Sequence, residues 1–147
     1  MGKWLLLLAL SVSLTAGAAT AQGPARGPDK AATEDAAVEK DALHQLEVAR
    51  QYFKLRKAYV AALSRTEEII AGYPSFSKLD EAYYIAGLSS FYLADGKGKQ
   101  KSTATPEQLR TQAREYLSEI VNRFPASTYR DEANDKLKKL GGPVKPS

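Results

Sequence analysis

Few residues of this chain are equipped for chemistry. It holds one histidine, His44, and no cysteine, so thiolate metal sites, disulfides and cysteine nucleophiles are excluded. A zinc site or a Ser-His-Asp relay would rest on that single imidazole, early in an amphipathic segment with no second histidine to help. His44 therefore reads as a solvated or groove-facing side chain. Two carboxylate pairs, Asp80-Glu81 and Asp131-Glu132, have the residue types of a general acid and base. Both stand at equivalent helix starts, where carboxylates offset the positive end of the helix dipole. That placement accounts for them without a cleft. Gly96-Lys97-Gly98-Lys99-Gln100-Lys101-Ser102 has the composition of a phosphate-cradling loop but lacks its glycine-lysine spacing and a preceding strand. A solvated loop is the plain reading, and contact with an acidic partner or lipid headgroups is the alternative. No catalytic residue, metal ligand set or cofactor is expected.

The elements behind these residues repeat. Ala62 to Ala82 recurs at Ala113 to Ala133 with an offset of 51 residues. The identities are Ala62/Ala113, Glu68/Glu119, Ile69/Ile120, Pro74/Pro125, Asp80/Asp131, Glu81/Glu132 and Ala82/Ala133, beside the conservative pairs Ile70/Val121, Tyr73/Phe124 and Ser77/Thr128. A helix, a proline stop and a new helix start, written twice, describe stacked helical units, which usually make binding surfaces.

Apolar positions follow a helical period throughout, and no stretch alternates long enough for a strand. The first helix is expected over roughly Asp35 to Lys54, striped by Ala42, Leu43, Leu46, Ala49 and Phe53. A second carries Tyr59, Ala62, Leu63, Thr66, Ile69, Ile70 and Tyr73 and stops at Pro74, which lacks an amide donor and biases Tyr73 away from helix. A third should run from about Lys78 to Ala94 with Ser77 as its N-cap. Thr105-Pro106-Glu107-Gln108 supplies a cap, a first-turn proline and a capping-box glutamine, so a fourth helix begins at Pro106 and ends before Pro125. A fifth follows from Thr128 to Leu140 with a polar outer surface. The fold class is thus all-α: about five helices, as two helical hairpins plus a capping helix.

The ends have their own signatures. Lys3, the apolar run Trp4 to Leu14 and small residues ending in Ala19-Thr20-Ala21 predict a signal peptide over residues 1–21, cleaved after Ala21. Residues 22–34 read as a flexible linker, 35–140 as the helical domain and 141–147 as a disordered tail. Leu14-Thr15-Ala16-Gly17 starts like a lipoprotein box, but Ala18 stands where lipidation needs a thiol, so no lipid anchor is expected. Without residues 1–21 the chain keeps 20 Lys/Arg against 17 Asp/Glu, an interspersed balance that does not favour nucleic acid.

Leu46, Ala49, Arg50, Phe53, Ala62 and Pro74, and in the second unit Tyr83, Ala86, Gly87, Ala113 and Pro125, carry a pattern that resembles the tetratricopeptide repeat. The second unit is longer by 17 residues than a 34-residue repeat, with the excess around Asp95 to Thr105. The phrases Glu68 to Pro74 and Val121 to Ser127, each leading to Asp-Glu-Ala, are similar to one branch. It comprises the outer-membrane assembly lipoproteins of the β-barrel assembly machinery and the related periplasmic cell-division coordinator. Arg50 and Lys57 depart from that pattern, standing where a close-packing glycine and a turn glycine are usual.

The resemblance implies that Ala62, Pro74, Ala82, Gly87, Ala113, Pro125 and Ala133 pack the repeats. It places His44, Glu47, Gln51 and Lys54 of the first unit and Glu81, Tyr84, Leu88 and Phe91 of the second on a concave partner-binding face. It further implies an exported, periplasmic, non-enzymatic scaffold that binds polypeptide segments of envelope or outer-membrane proteins. Such a protein would serve outer-membrane protein assembly or envelope organisation. The alternative is a structural envelope protein that associates with copies of itself, since stable arrays usually have at least about three repeats.

Overall fold

The computed structural model describes residues 28–145, so the expected signal peptide, its cleavage after Ala21 and the Ala18 position lie outside the described residues. Among the described residues the fold is all-helical, with α1 (Pro28–Arg50), α2 (Tyr59–Gly72), α3 (Leu79–Ala94), α4 (Pro106–Arg123) and α5 (Arg130–Lys139). The hairpins α1/α2 and α3/α4 stack side by side and α5 closes the array, as a tetratricopeptide-like domain requires. The central helix, α3, is packed by α2 on one side and α4 on the other.

The 51-residue repeat is visible in the backbone itself. Tyr73 (φ −131°, ψ 63°) and Phe124 (φ −123°, ψ 68°) leave the helix in nearly the same conformation, because each precedes a proline whose ring disfavours the helical region. The amides of Tyr73 and Phe124 donate to the carbonyls of Ile69 and Ile120 at 2.9 and 3.0 Å, and those of Phe76 and Ser127 donate to Tyr73 and Phe124 at 3.0 Å. Identical local physics thus turns the chain twice, and each turn delivers an Asp-Glu pair into the first helical turn of α3 or α5.

Small residues set the helix spacing. Ala62, Ala82, Ala113 and Ala133 are fully buried. Gly87 on α3 lies so close to α4 that a Cβ built on it would fall 2.6 Å from Leu117 Cγ, well inside ordinary van der Waals contact. The main core joins Leu46, Ile69, Leu79, Ile85, Leu117 and Ile120. A second cluster gathers Tyr59, Leu93 and Leu109, where Phe53, Tyr59 and Tyr92 bring their ring centroids within 5.1 to 6.1 Å.

Several local expectations change. Residues 28–34, expected in the linker, are helical, and α1 starts seven residues before Asp35. A proline suits the first helical position, and Ala31-Ala32 and Ala36-Ala37 carry the strongest intrinsic helix propensity. Beyond Arg50 the first helix widens into a π-helical turn, Gln51–Arg56, closed by Lys57 at φ 49°. Lys57 occupies the left-handed position that a glycine would normally take. Ser77 and Thr128 are not side-chain caps: Lys78 and Tyr129 hold the cap positions, and neither makes a side-chain cap bond. The turn does that work instead, because the carbonyls of Phe76 and Ser127 accept the amides of Leu79 and Arg130 at 3.2 Å. Thr105 and Gln108 do form the reciprocal capping box. Residues 141–145 of the expected tail lie back on α4: Arg114 donates to the Gly142 carbonyl at 2.6 Å, Asn122 to that of Val144 at 2.9 Å, and the Val144 amide to Ser118 Oγ at 2.8 Å.

Candidate functional site

Stacking α3 beside α1 leaves an open groove of about 580 Å³. Glu47, Gln51 and Lys54 line it from the first unit and Glu81 from the second, so four of the eight expected partner-facing residues converge. Arg50, Leu55, Lys78 and Tyr129 complete the lining.

Arg50 organises this groove. Its guanidinium forks onto Glu81, with Nε 2.7 Å from Oε1 and Nη2 2.6 Å from Oε2, and reaches Glu47 at 3.2 Å. The Glu81 side chain is 9% exposed. Burial alone pushes its carboxyl up, but the bonds and charge of Arg50, helped by a Tyr129 hydrogen bond and Lys54, outweigh it and hold the group below its ordinary value of 4.5. The side chain that departs from the repeat pattern, at the position of a close-packing glycine, therefore ties the two units by an ion pair. Lys54, Leu55 and Lys78 remain at the margin as exposed groups, so the groove offers an aliphatic contact and two cations around a centre in which one guanidinium faces two carboxylates. Such a surface suits an extended or helical polypeptide segment better than a small substrate.

The other expected residues fare differently. His44 is exposed and does not line the groove, and among the described residues no cluster of His, Cys, Asp or Glu could hold a metal. Tyr84 is half-buried: its ring stacks on Tyr129 at 4.4 Å and its hydroxyl donates to Glu132 at 2.6 Å. Burial and then the Glu132 carboxylate raise its phenol above 10.0. Leu88 is a correction, since it is 2% exposed and belongs to the core. Phe91 lies beneath Lys136, whose Nζ sits 5.5 Å from the ring centroid. Side chains of α5 and its cap reach Tyr84 and Phe91, whereas Leu88 is taken up by the core.

Arg50, Leu55, Lys78 and Tyr129 are the lining residues that sequence reasoning missed. Arg50 had a signal, a long cation where a small residue is usual. Tyr129 had none, because its place depends on how α5 docks. Asp80 and Glu132 also do more than offset helix dipoles: Asp80 accepts from Ser127 Oγ at 2.6 Å, joining the two equivalent turns, and Glu132 holds Tyr84.

A family model described as YfiO, outer membrane lipoprotein, matches residues 67–142, just over half of the 147-residue chain. The matched segment runs from the second half of α2 past α5 and excludes α1. Comparison with curated proteins and with solved structures returned no match.

Proposed function

We propose, since the chain belongs to the YfiO family of outer membrane lipoproteins, that it is a non-enzymatic scaffold of the bacterial envelope that binds polypeptide segments during outer-membrane protein assembly. The observation that carries the reading is the groove between α1 and α3, where Glu47, Gln51, Lys54 and Glu81 meet Arg50 and Tyr129. Its charged rim and aliphatic margin are the usual form of a peptide-binding surface. An exported, periplasmic protein cleaved after Ala21 fits this role, and the sequence holds no cysteine for a thiol-linked lipid.

Affinity capture from envelope extracts tests it. The wild-type protein should retain envelope polypeptides that a Gln51→Trp, Lys54→Glu variant does not. Equal recovery by both proteins, or recovery of no envelope polypeptide, rejects the groove as the binding site.

A second reading, self-association into a structural envelope element, is favoured by one feature. Val38 (53% exposed) and Leu43 (37%) lie uncovered on α1, beside a cleft lined by Ala42, Tyr73, Pro74 and Phe76. Sedimentation over a range of concentrations decides it, because a strict monomer has no such assembly.

A further inference from the structure

Charge looks evenly interspersed along the chain, yet folding concentrates it at one corner. The turn after α1 brings Lys54, Arg56 and Lys57 beside Lys97, Lys99 and Lys101 of the α3–α4 loop. The two segments touch through their backbones: the Lys99 amide donates to the Lys57 carbonyl at 3.4 Å, and Gln100 Oε1 accepts the Ala61 amide at 3.3 Å. Gly98 makes the approach possible. It sits at φ 101°, and a Cβ there would lie 2.8 Å from the Tyr59 ring and 3.1 Å from the Lys57 carbonyl. With Lys54 facing the carboxylates of the groove, the corner gathers five further cationic side chains, Arg56, Lys57, Lys97, Lys99 and Lys101, with Asp95 in the same loop. Lys97 is paired with Asp95 at 3.7 Å. Among the described residues Lys57, Lys99 and Lys101 take part in no ion pair. In the midst of these cations stands Leu55, 80% exposed and the most exposed large apolar side chain of the described residues.

We propose that this corner is a docking surface for an anionic phospholipid membrane. Lysines hold themselves at headgroup phosphates, and an aliphatic side chain among them gains by entering the headgroup–acyl boundary. Leu55 stands 80% exposed at the rim of the groove among cations, and a surface that offers both negative charge and hydrocarbon matches that combination. Nucleic acid fits less well, because the aromatic rings here are not open for stacking: Tyr59 is buried and Tyr52 carries Arg56 over its face at 5.5 Å. Leu55 also lines the mouth of the groove, so a docked corner would present that mouth at the membrane. The proposal stands on the corner's own charge and exposure and does not depend on what the groove binds.

The test is co-sedimentation of the full chain with vesicles of phosphatidylethanolamine containing a minority of phosphatidylglycerol, and with vesicles of phosphatidylcholine. The readout is the ratio of partitioning between the two, compared among variants that all carry the same Lys3 and Trp4 to Leu14 run. Each lysine near an anionic surface is worth roughly five-fold. The triple variant Lys57→Gln, Lys99→Gln, Lys101→Gln should therefore lose roughly a hundred-fold of the anionic preference, and Leu55→Ser should lower partitioning several-fold. The control variant Arg130→Gln, Lys138→Gln, Lys139→Gln removes the same charge from α5 and should keep the preference. All substituted positions are exposed, and unchanged helical circular dichroism confirms that each variant is folded. A wild-type protein with no anionic preference overturns the proposal, as does equal loss in both triple variants. Binding to polyglutamate by a chain that ignores both vesicles would assign the corner to acidic polypeptides and overturn it equally.

Discussion

Substituting Gly87 by alanine adds one methyl group where α3 and α4 come closest. The new Cβ would sit 2.6 Å from Leu117 Cγ and 2.7 Å from its Cδ2, about 1 Å inside an ordinary carbon–carbon contact. Leu117 is fully buried, so it has no open space into which to turn, and overpacking of this kind costs about 1 to 3 kcal/mol. Alanine returns about 0.5 to 1 kcal/mol in a helix interior, which leaves a net loss of about 0 to 2.5 kcal/mol, centred near 1. For a domain of this size that is a fall in melting temperature on the order of 5 to 10 °C. Gly72, at the end of α2, has nothing within 4 Å of its would-be Cβ, so Gly72→Ala should gain about 0.5 kcal/mol. Urea and thermal unfolding followed by circular dichroism compare the two. Leu117→Ala should cost less in the Gly87→Ala background than alone, because the added methyl fills part of the vacated space. Equal stability of Gly87→Ala and Gly72→Ala, or strict additivity with Leu117→Ala, refutes the close approach of these helices.

Three further outcomes follow from the same structure. Ala113 is fully buried, so Ala113→Leu should lower stability by about 1 to 3 kcal/mol, whereas the exposed Lys99→Leu should leave the melting temperature nearly unchanged. Lys57 is the one non-glycine residue at positive φ among the described residues; Lys57→Gly should raise stability by about 0.5 to 1 kcal/mol in urea unfolding, by removing left-handed strain. Glu81 is held below 4.5, so its pair with Arg50 contributes stability that is present above pH 4.5 and lost as the pH falls through the depressed folded value. Arg50→Ala should therefore cost about 1 to 3 kcal/mol at neutral pH, and the gap from wild type should narrow in acid; a gap independent of pH contradicts the pairing.

Much of this fold was legible because its signals are local. Pro74 and Pro125 stop helices through a missing amide and a steric clash with the preceding residue, whatever surrounds them, and Thr105 with Gln108 caps α4 from within four residues. The recurrence of Ala62 at Ala113 revealed the stacking. Features that arise between distant segments left no such trace. The Arg50–Glu81 bond spans 31 residues, and the lysine corner joins turns about 40 residues apart, so neither shows in a window of any helical length. Leu88 was misplaced because a period identifies a face without saying what covers it, and α3 is buried on most of its surface. Residues 28–34 were missed for the opposite reason: they are helical where no apolar stripe announces a helix, and residues 31–34 are exposed.

The central claim is that the α1–α3 groove is where polypeptide partners sit, and site-specific photocrosslinking in cells tests it directly. A photoreactive side chain at Gln51, inside the groove, should capture envelope polypeptides, and one at Lys139, on the outer surface of α5, should not. Adducts of the same partners from both positions, or none from Gln51, would contradict the account.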